Sequence, residues 1–275
     1  MNKLAIASVA TVGFIGLASQ SALAHQNLHE NSLVKLHNNI SVAGGTTYQH
    51  YKEYQNGNTL DKETGWIPNF DASASYMSPA RHYLLSASVR YSWGNTNYNA
   101  PNTSSTNTHN NIVSVKGKIG KGFQLSRRLM VTPFLTYGHR YWHRGLTGTA
   151  SLKGYKENYN MNYAGAGFMV DYQATRRLIL SAQAMGGSTF SNTLNTSIMS
   201  STYNLGDKAI AKAALKADYH VRGPWHVFGK VHYTYFKFGH SGTHTFTSNG
   251  TQYNSNEPNS TTNNVSLDFG VRYTF

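Results

Sequence analysis

The side chains best equipped for chemistry are few, and the densest group is the run His139-Arg140-Tyr141-Trp142-His143-Arg144. Two histidines four apart would form a metal pair on a helix. On a strand they share a face but lie roughly 13 Å apart at ~3.3 Å per residue, too far for one ion. The run reads instead as an interfacial aromatic belt with cationic partners, whose arginines would meet phosphate groups at a membrane surface. His25 and His29-Glu30 have the residue types for a soft divalent ion, although a loose exposed terminus accounts for them better. Cysteine is absent, which excludes thiol nucleophiles, thiolate-held metals and disulfides. No catalytic, cofactor-binding or metal-binding set emerges, and the expectation is a protein that is not an enzyme and carries no cofactor.

What remains is a question of which elements place the charges. The chain has 275 residues, 13% of them charged, 13% aromatic, and a formal charge of +13. So many aromatics argue against disorder. So basic a balance would ordinarily suggest nucleic acid, but the first 24 residues point elsewhere. Lys3, an apolar stretch from Leu4 to Leu17, and Ala22-Leu23-Ala24 form a cleavable export signal, too short for a membrane helix. The domain reading is therefore a signal over 1–24 and one β-domain over 25–275, outside the cytoplasm and without a nucleic-acid partner.

That domain is written with a period of two. Val265, Leu267, Phe269, Val271, Tyr273 and Phe275 alternate with Ser266, Asp268, Gly270, Arg272 and Thr274. Tyr83, Leu85, Ala87, Val89, Tyr91 and Trp93 alternate with polar residues in the same way. Alternation of this kind suits a strand with lipid on one side and a polar lumen on the other. Ten segments follow it, near 38–54, 68–78, 82–93, 111–125, 129–143, 159–174, 178–190, 208–221, 225–238 and 264–275. Short connections around residues 78–81, 126–128, 175–177 and 222–224 alternate with long polar ones at 55–67, 94–110, 144–158, 191–207 and 239–263. The fold class is all-β: a transmembrane antiparallel up-and-down barrel of about ten strands, with eight or twelve as the alternatives. A soluble β-sandwich has alternating strands but no such loop asymmetry.

Parity assigns the lumen. Arg90, Lys116, Lys118, Arg140, Lys212, Lys216, Lys230 and Arg272 point inward, with His220 and His232, against the acids Asp71, Asp171, Asp218 and Asp268. Buried charges need partners, so two interiors are open: a lumen plugged by side chains, or a narrow pore that prefers anions.

The closing strand, with Phe269, Val271, Tyr273 and Phe275 at two-residue steps, resembles the terminal signal of Gram-negative outer-membrane barrels, which their assembly machinery reads. Residues 131–145, VTPFLTYGHRYWHRG, resemble a strand of small porin-like and opacity-type surface barrels. The resemblance implies a place in the cell outer membrane, with its lipids, lipopolysaccharide and the barrel-assembly machinery as partners. Omptin surface proteases are ten-stranded barrels that use an Asp-x-His pair at the outer mouth to activate water. The one such pair here, Asp218-Tyr219-His220, falls beside the 222–224 turn, at the opposite rim, and no Asp-x-Asp accompanies it. A surface hydrolase is therefore the third reading. The first is a structural or adhesin-like surface role, with a host or surface ligand at the Asn/Ser/Thr-rich outer loops; the second is the narrow anion-preferring porin.

Overall fold

The computed structural model describes residues 32–101, 105–149, 153–197, 202–248 and 251–275. The export signal, His25 and His29-Glu30 lie outside the described residues. The chain enters through a short helix, α1 (Ser32–Leu36), and then forms β1 (Asn39–Gln55), β2 (Asn58–Met77), β3 (Tyr83–Asn99), β4 (Thr106–Lys121), β5 (Phe123–Ser126), β6 (Leu129–Leu146) and β7 (Tyr155–Gln173). It continues through β8 (Leu178–Thr196), β9 (Thr202–Leu205), β10 (Ala209–Arg222), β11 (Trp225–Phe238), β12 (His244–Ser248), β13 (Thr251–Ser255) and β14 (Asn259–Thr274).

Each long strand pairs antiparallel with the next, and the cylinder closes where β14 pairs with both β11 and β1. The closing register runs from Asn39 opposite Thr274 to Tyr54 opposite Asn259. β10 pairs with β8, β5 continues the wall beside β6, and β12–β13 form a separate hairpin. The result is a closed ten-strand barrel, and closure leaves no unpaired edge for lipid to meet.

Alternation decides what faces outward. Leu215, Phe269, Trp66, Leu135 and Ile119 are among many large apolar side chains left exposed, Leu215 at 66%. An apolar surface that encircles a whole molecule is a lipid face. Aromatics mark its borders: Tyr48 against Trp66 and Tyr91 stacked on Trp93 on one side, Trp225 against Tyr273 on the other. The second border carries the four short connections and Phe275, whose N–H donates to the Asn38 carbonyl. Tyr273, Val271 and Phe269 follow Phe275 along this lipid face, as their spacing predicts.

The long connections expected from sequence are largely strand. β2 has 20 residues and β8 has 19, about twice the ~9–11 a tilted membrane strand requires. The expected loop at 55–67 is a hairpin extension that turns at Asn56-Gly57, with φ of 52° and 82°. Positive φ at both central residues is the turn that matches strand twist, and Asn-Gly adopts it at little cost. Beyond the lipid face the outer side of the wall meets water instead of lipid, so the apolar-out alternation fades there although pairing continues.

Candidate functional site

The lumen divides into an inner plug, a cationic chamber and an outer seal. At the inner end α1 turns Leu33, Val34 and Leu36 into the barrel, all buried. Three contacts fix it. Ser32 Oγ donates to Gln173 Oε1 at 2.8 Å, His37 Nε2 meets Asp171 Oδ2 at 2.8 Å, and Arg272 donates to the Leu36 carbonyl at 3.4 Å. An N-terminal segment that would otherwise lie free is thereby the floor of the lumen.

Above it is a cavity of about 240 Å³. All eight cations assigned inward by parity line it: Arg90, Lys116, Lys118, Arg140, Lys212, Lys216, Lys230 and Arg272. Asp268 is fully buried and receives Arg90 at 2.6 Å and Lys230 at 3.2 Å; Arg90 also reaches Asp71 at 3.2 Å. His232 lies 3.5 Å from the same Asp268. Asp218 forms an ion pair with Arg272 at 2.9 Å and a hydrogen bond with His226 at 2.6 Å. Asp171 bonds to His37 and to Ser181. The four acids are thus committed to partners.

The other cations have neutral company. Lys118 donates to Gln183 Oε1 at 2.8 Å, and Lys212 donates to the Tyr163 hydroxyl at 2.7 Å while lying 4.0 Å from that ring's centre. Arg140 stacks by Trp142 and Phe236. Tyr163 in turn lies over Gly138, where a Cβ would meet its ring at 2.3 Å. Glycine is required at that point of β6 for the ring to lie flat against the wall.

At the outer end the ring stack Tyr51–Trp142–Tyr159–Phe238, with centroids 5.1–5.3 Å apart, crosses the lumen. All four side chains are buried. Arg144 is embedded beside them at 1% exposure, with Glu63 at 2.7 Å, Glu53 at 3.4 Å, Asp61 at 3.8 Å and Glu157 in direct contact. Tyr159 donates to Glu257 at 3.1 Å, tying the approach to β14 into the same seal. Glu53 stands five residues past Tyr48 and so beyond the lipid face. Burial first, and the neighbouring Asp61 next, push its carboxyl up to about 7; burial likewise raises Glu257 well above the usual carboxylate range.

This corrects the reading of Trp142 and Arg144 as part of an interfacial belt. His139 and His143 do face outward, each held by an asparagine of β7, Asn162 at 3.0 Å and Asn158 at 2.8 Å. Arg140, Trp142 and Arg144 face inward, because they occupy the parity of Thr132 and Thr136. Arg144 therefore spends its charge on carboxylates and not on membrane phosphates. Sequence reasoning missed those carboxylates, although each has a same-face companion two residues away (Tyr51–Glu53, Asp61–Glu63 and Glu157–Tyr159), as Arg144 has in Trp142. Asp218-Tyr219-His220 lies at the inner rim, with His220 Nε2 bonded to the Gly223 carbonyl at 2.8 Å. Both its polar residues serve the wall and the turn.

No protein-family model matches the chain, and no curated protein does. Solved structures do. The outer-membrane protease OmpT of Escherichia coli matches over 92% of this chain and 99% of its own, at 10% identity and a TM-score of 0.62. The translocator domain of the autotransporter NalP of Neisseria meningitidis matches over 98% and 97%, at 13% identity and a TM-score of 0.42. The toluene transporter TodX of Pseudomonas putida matches over 90% and 92%, at 10% identity and a TM-score of 0.38. Identities this low speak to fold alone. Closure at ten strands, a complete lipid face and the likeness to OmpT agree: this chain has the fold of the bacterial outer-membrane β-barrels.

Proposed function

We propose that this protein is a non-conducting barrel of the cell outer membrane with a structural or adhesin-like role, acting through what it presents outside. The observation that carries the reading is a lumen filled at both ends, by α1 and by the Tyr51–Trp142–Tyr159–Phe238 stack, inside walls that continue past the lipid face. A barrel built only to conduct has no use for either filling. The extended hairpins are rich in Asn, Ser, Thr and Tyr, which supply adaptable hydrogen bonds and amphipathic contact area. Its partners are outer-membrane lipid and lipopolysaccharide around the belt, the barrel-assembly machinery at the closing strand, and a host or surface ligand at the tips. We assign it no catalysis: the Asp-x-His pair is at the inner rim, with Asp218 beside Arg272 and His226 and His220 Nε2 bonded to the Gly223 carbonyl.

A second reading, a narrow anion-preferring porin, draws support from the chamber cations that have no acid partner. It requires both fillings to move.

The test is adhesion of cells that display the barrel, compared with cells in which residues 240–257 are replaced by a two-residue Asn-Gly turn. Attachment to host-cell and abiotic surfaces is expected to fall at least tenfold, with the heat-modifiable barrel still present. Unchanged attachment, repeated with the 55–60 and 98–107 tips shortened, would remove the adhesin-like role.

A further inference from the structure

The chamber holds more positive charge than its own acids neutralise. Eight cations face it against Asp71, Asp171, Asp218 and Asp268, which are already shared among Arg90, Lys230, Arg272 and histidines. Among the described residues no carboxylate lies within 4.0 Å of Lys116, Lys118, Arg140, Lys212 or Lys216. Two nitrogens of Arg140, Nε and Nη2, are buried without a hydrogen-bond partner. Lys216 is moreover the direct cross-strand partner of Lys230, and like charges in that position repel. A closed interior that keeps such a set charged needs a counter-charge.

The five cations come from different walls. Lys116 and Lys118 are on β4, Arg140 on β6, and Lys212 and Lys216 on β10, with β7 and β8 between β6 and β10. A ligand that answers Lys116, Lys118, Arg140 and Lys212 needs several acceptor oxygens pointing in different directions, which a halide lacks. Lysines and arginines supply the donors such an anion takes, and arginine suits phosphate oxygens in particular. The cavity's 240 Å³ greatly exceeds the ~10–15 Å³ that one water requires. With both ends filled, the space admits a small hydrated ion and no lipid headgroup with chains attached.

We propose that the chamber is a binding site for one small polyvalent oxyanion of the phosphate or pyrophosphate class, held by Lys116, Lys118, Arg140 and Lys212, with Lys216, four residues along β10 from Lys212, adding positive charge from farther down the chamber. The site goes beyond the surface role, and a barrel without it would remain closed.

To make entry independent of the two fillings, the full chain is refolded into detergent micelles in the presence of radiolabelled pyrophosphate and then desalted. About one equivalent is expected to stay with the folded barrel and to resist a hundredfold excess of chloride at fixed ionic strength. The Lys116→Met/Lys212→Met variant is expected to retain at least tenfold less. Should that variant fail to give a heat-modifiable barrel, Lys118→Gln takes its place, with a smaller loss expected. Retention no greater than in the variants, or release by chloride, would overturn the proposal by showing, respectively, an unspecific surface association or simple ion screening.

Discussion

Replacing Arg144 with methionine is expected to destabilise the barrel by about 3–5 kcal/mol at pH 8, the range for removing one partner of a buried ion pair. Arg144 is the only cation within 4.0 Å of Glu53, Asp61, Glu63 or Glu157 among the described residues. Without it, four carboxylates face one another in a dry seal. The same carboxylates make the effect depend on pH. Burial holds Glu53 near 7 against an ordinary value of 4.5. A carboxyl raised on folding contributes stability that is full below about 4.5 and is lost as pH rises through about 7, because only the folded form keeps its proton. The wild-type barrel should therefore show a higher urea midpoint at pH 5 than at pH 8, and the penalty of Arg144→Met should shrink at pH 5. Protease cleavage of the outer hairpins reports the same change locally. An unchanged midpoint at pH 8 would mean that the seal does not depend on Arg144.

Opening both ends is expected to give the other large effect. Trp142 sits in the ring stack and donates its indole N–H to Asn110 at 2.7 Å, so Trp142→Ala removes the centre of the outer seal. Deleting residues 25–37 removes α1. Either change alone should leave the lumen blocked, since the remaining filling still spans it. Together they should turn a silent barrel into one that conducts, with a reversal potential favouring anions because cations line the chamber. A conducting single variant would show that one end is already open; a silent double variant would place the block in the chamber itself.

The lipid-facing parts of the fold were legible because water and lipid impose opposite preferences on alternate residues. Tyr83 to Trp93 and Val265 to Phe275 show it without interruption, and the inward parity of Lys212, Lys216 and Lys230 follows from the same alternation. Beyond the aromatic borders that contrast ends. Asp61, Lys62, Glu63 and Thr64 read as loop, yet they pair with β1 as strand, and only Asn56-Gly57 announced the turn. The outer seal was hidden for a different reason. Its charges arrive from β1, β2, β6 and β7, and Arg144 stands 91 residues from Glu53 and 81 from Glu63. Each acid looked like an isolated polar residue until the cylinder closed. The five-residue α1 was hidden by brevity, because Leu33, Val34 and Leu36 are too few to show a period.

The central claim, a barrel closed at both ends, is tested most directly by single-channel recording of the intact refolded protein in a planar bilayer, with a KCl gradient across it. The account predicts no steady openings from a heat-modifiable, correctly folded barrel. Sustained anion-selective openings from that same protein, without any substitution, would contradict it and make the narrow porin the better reading.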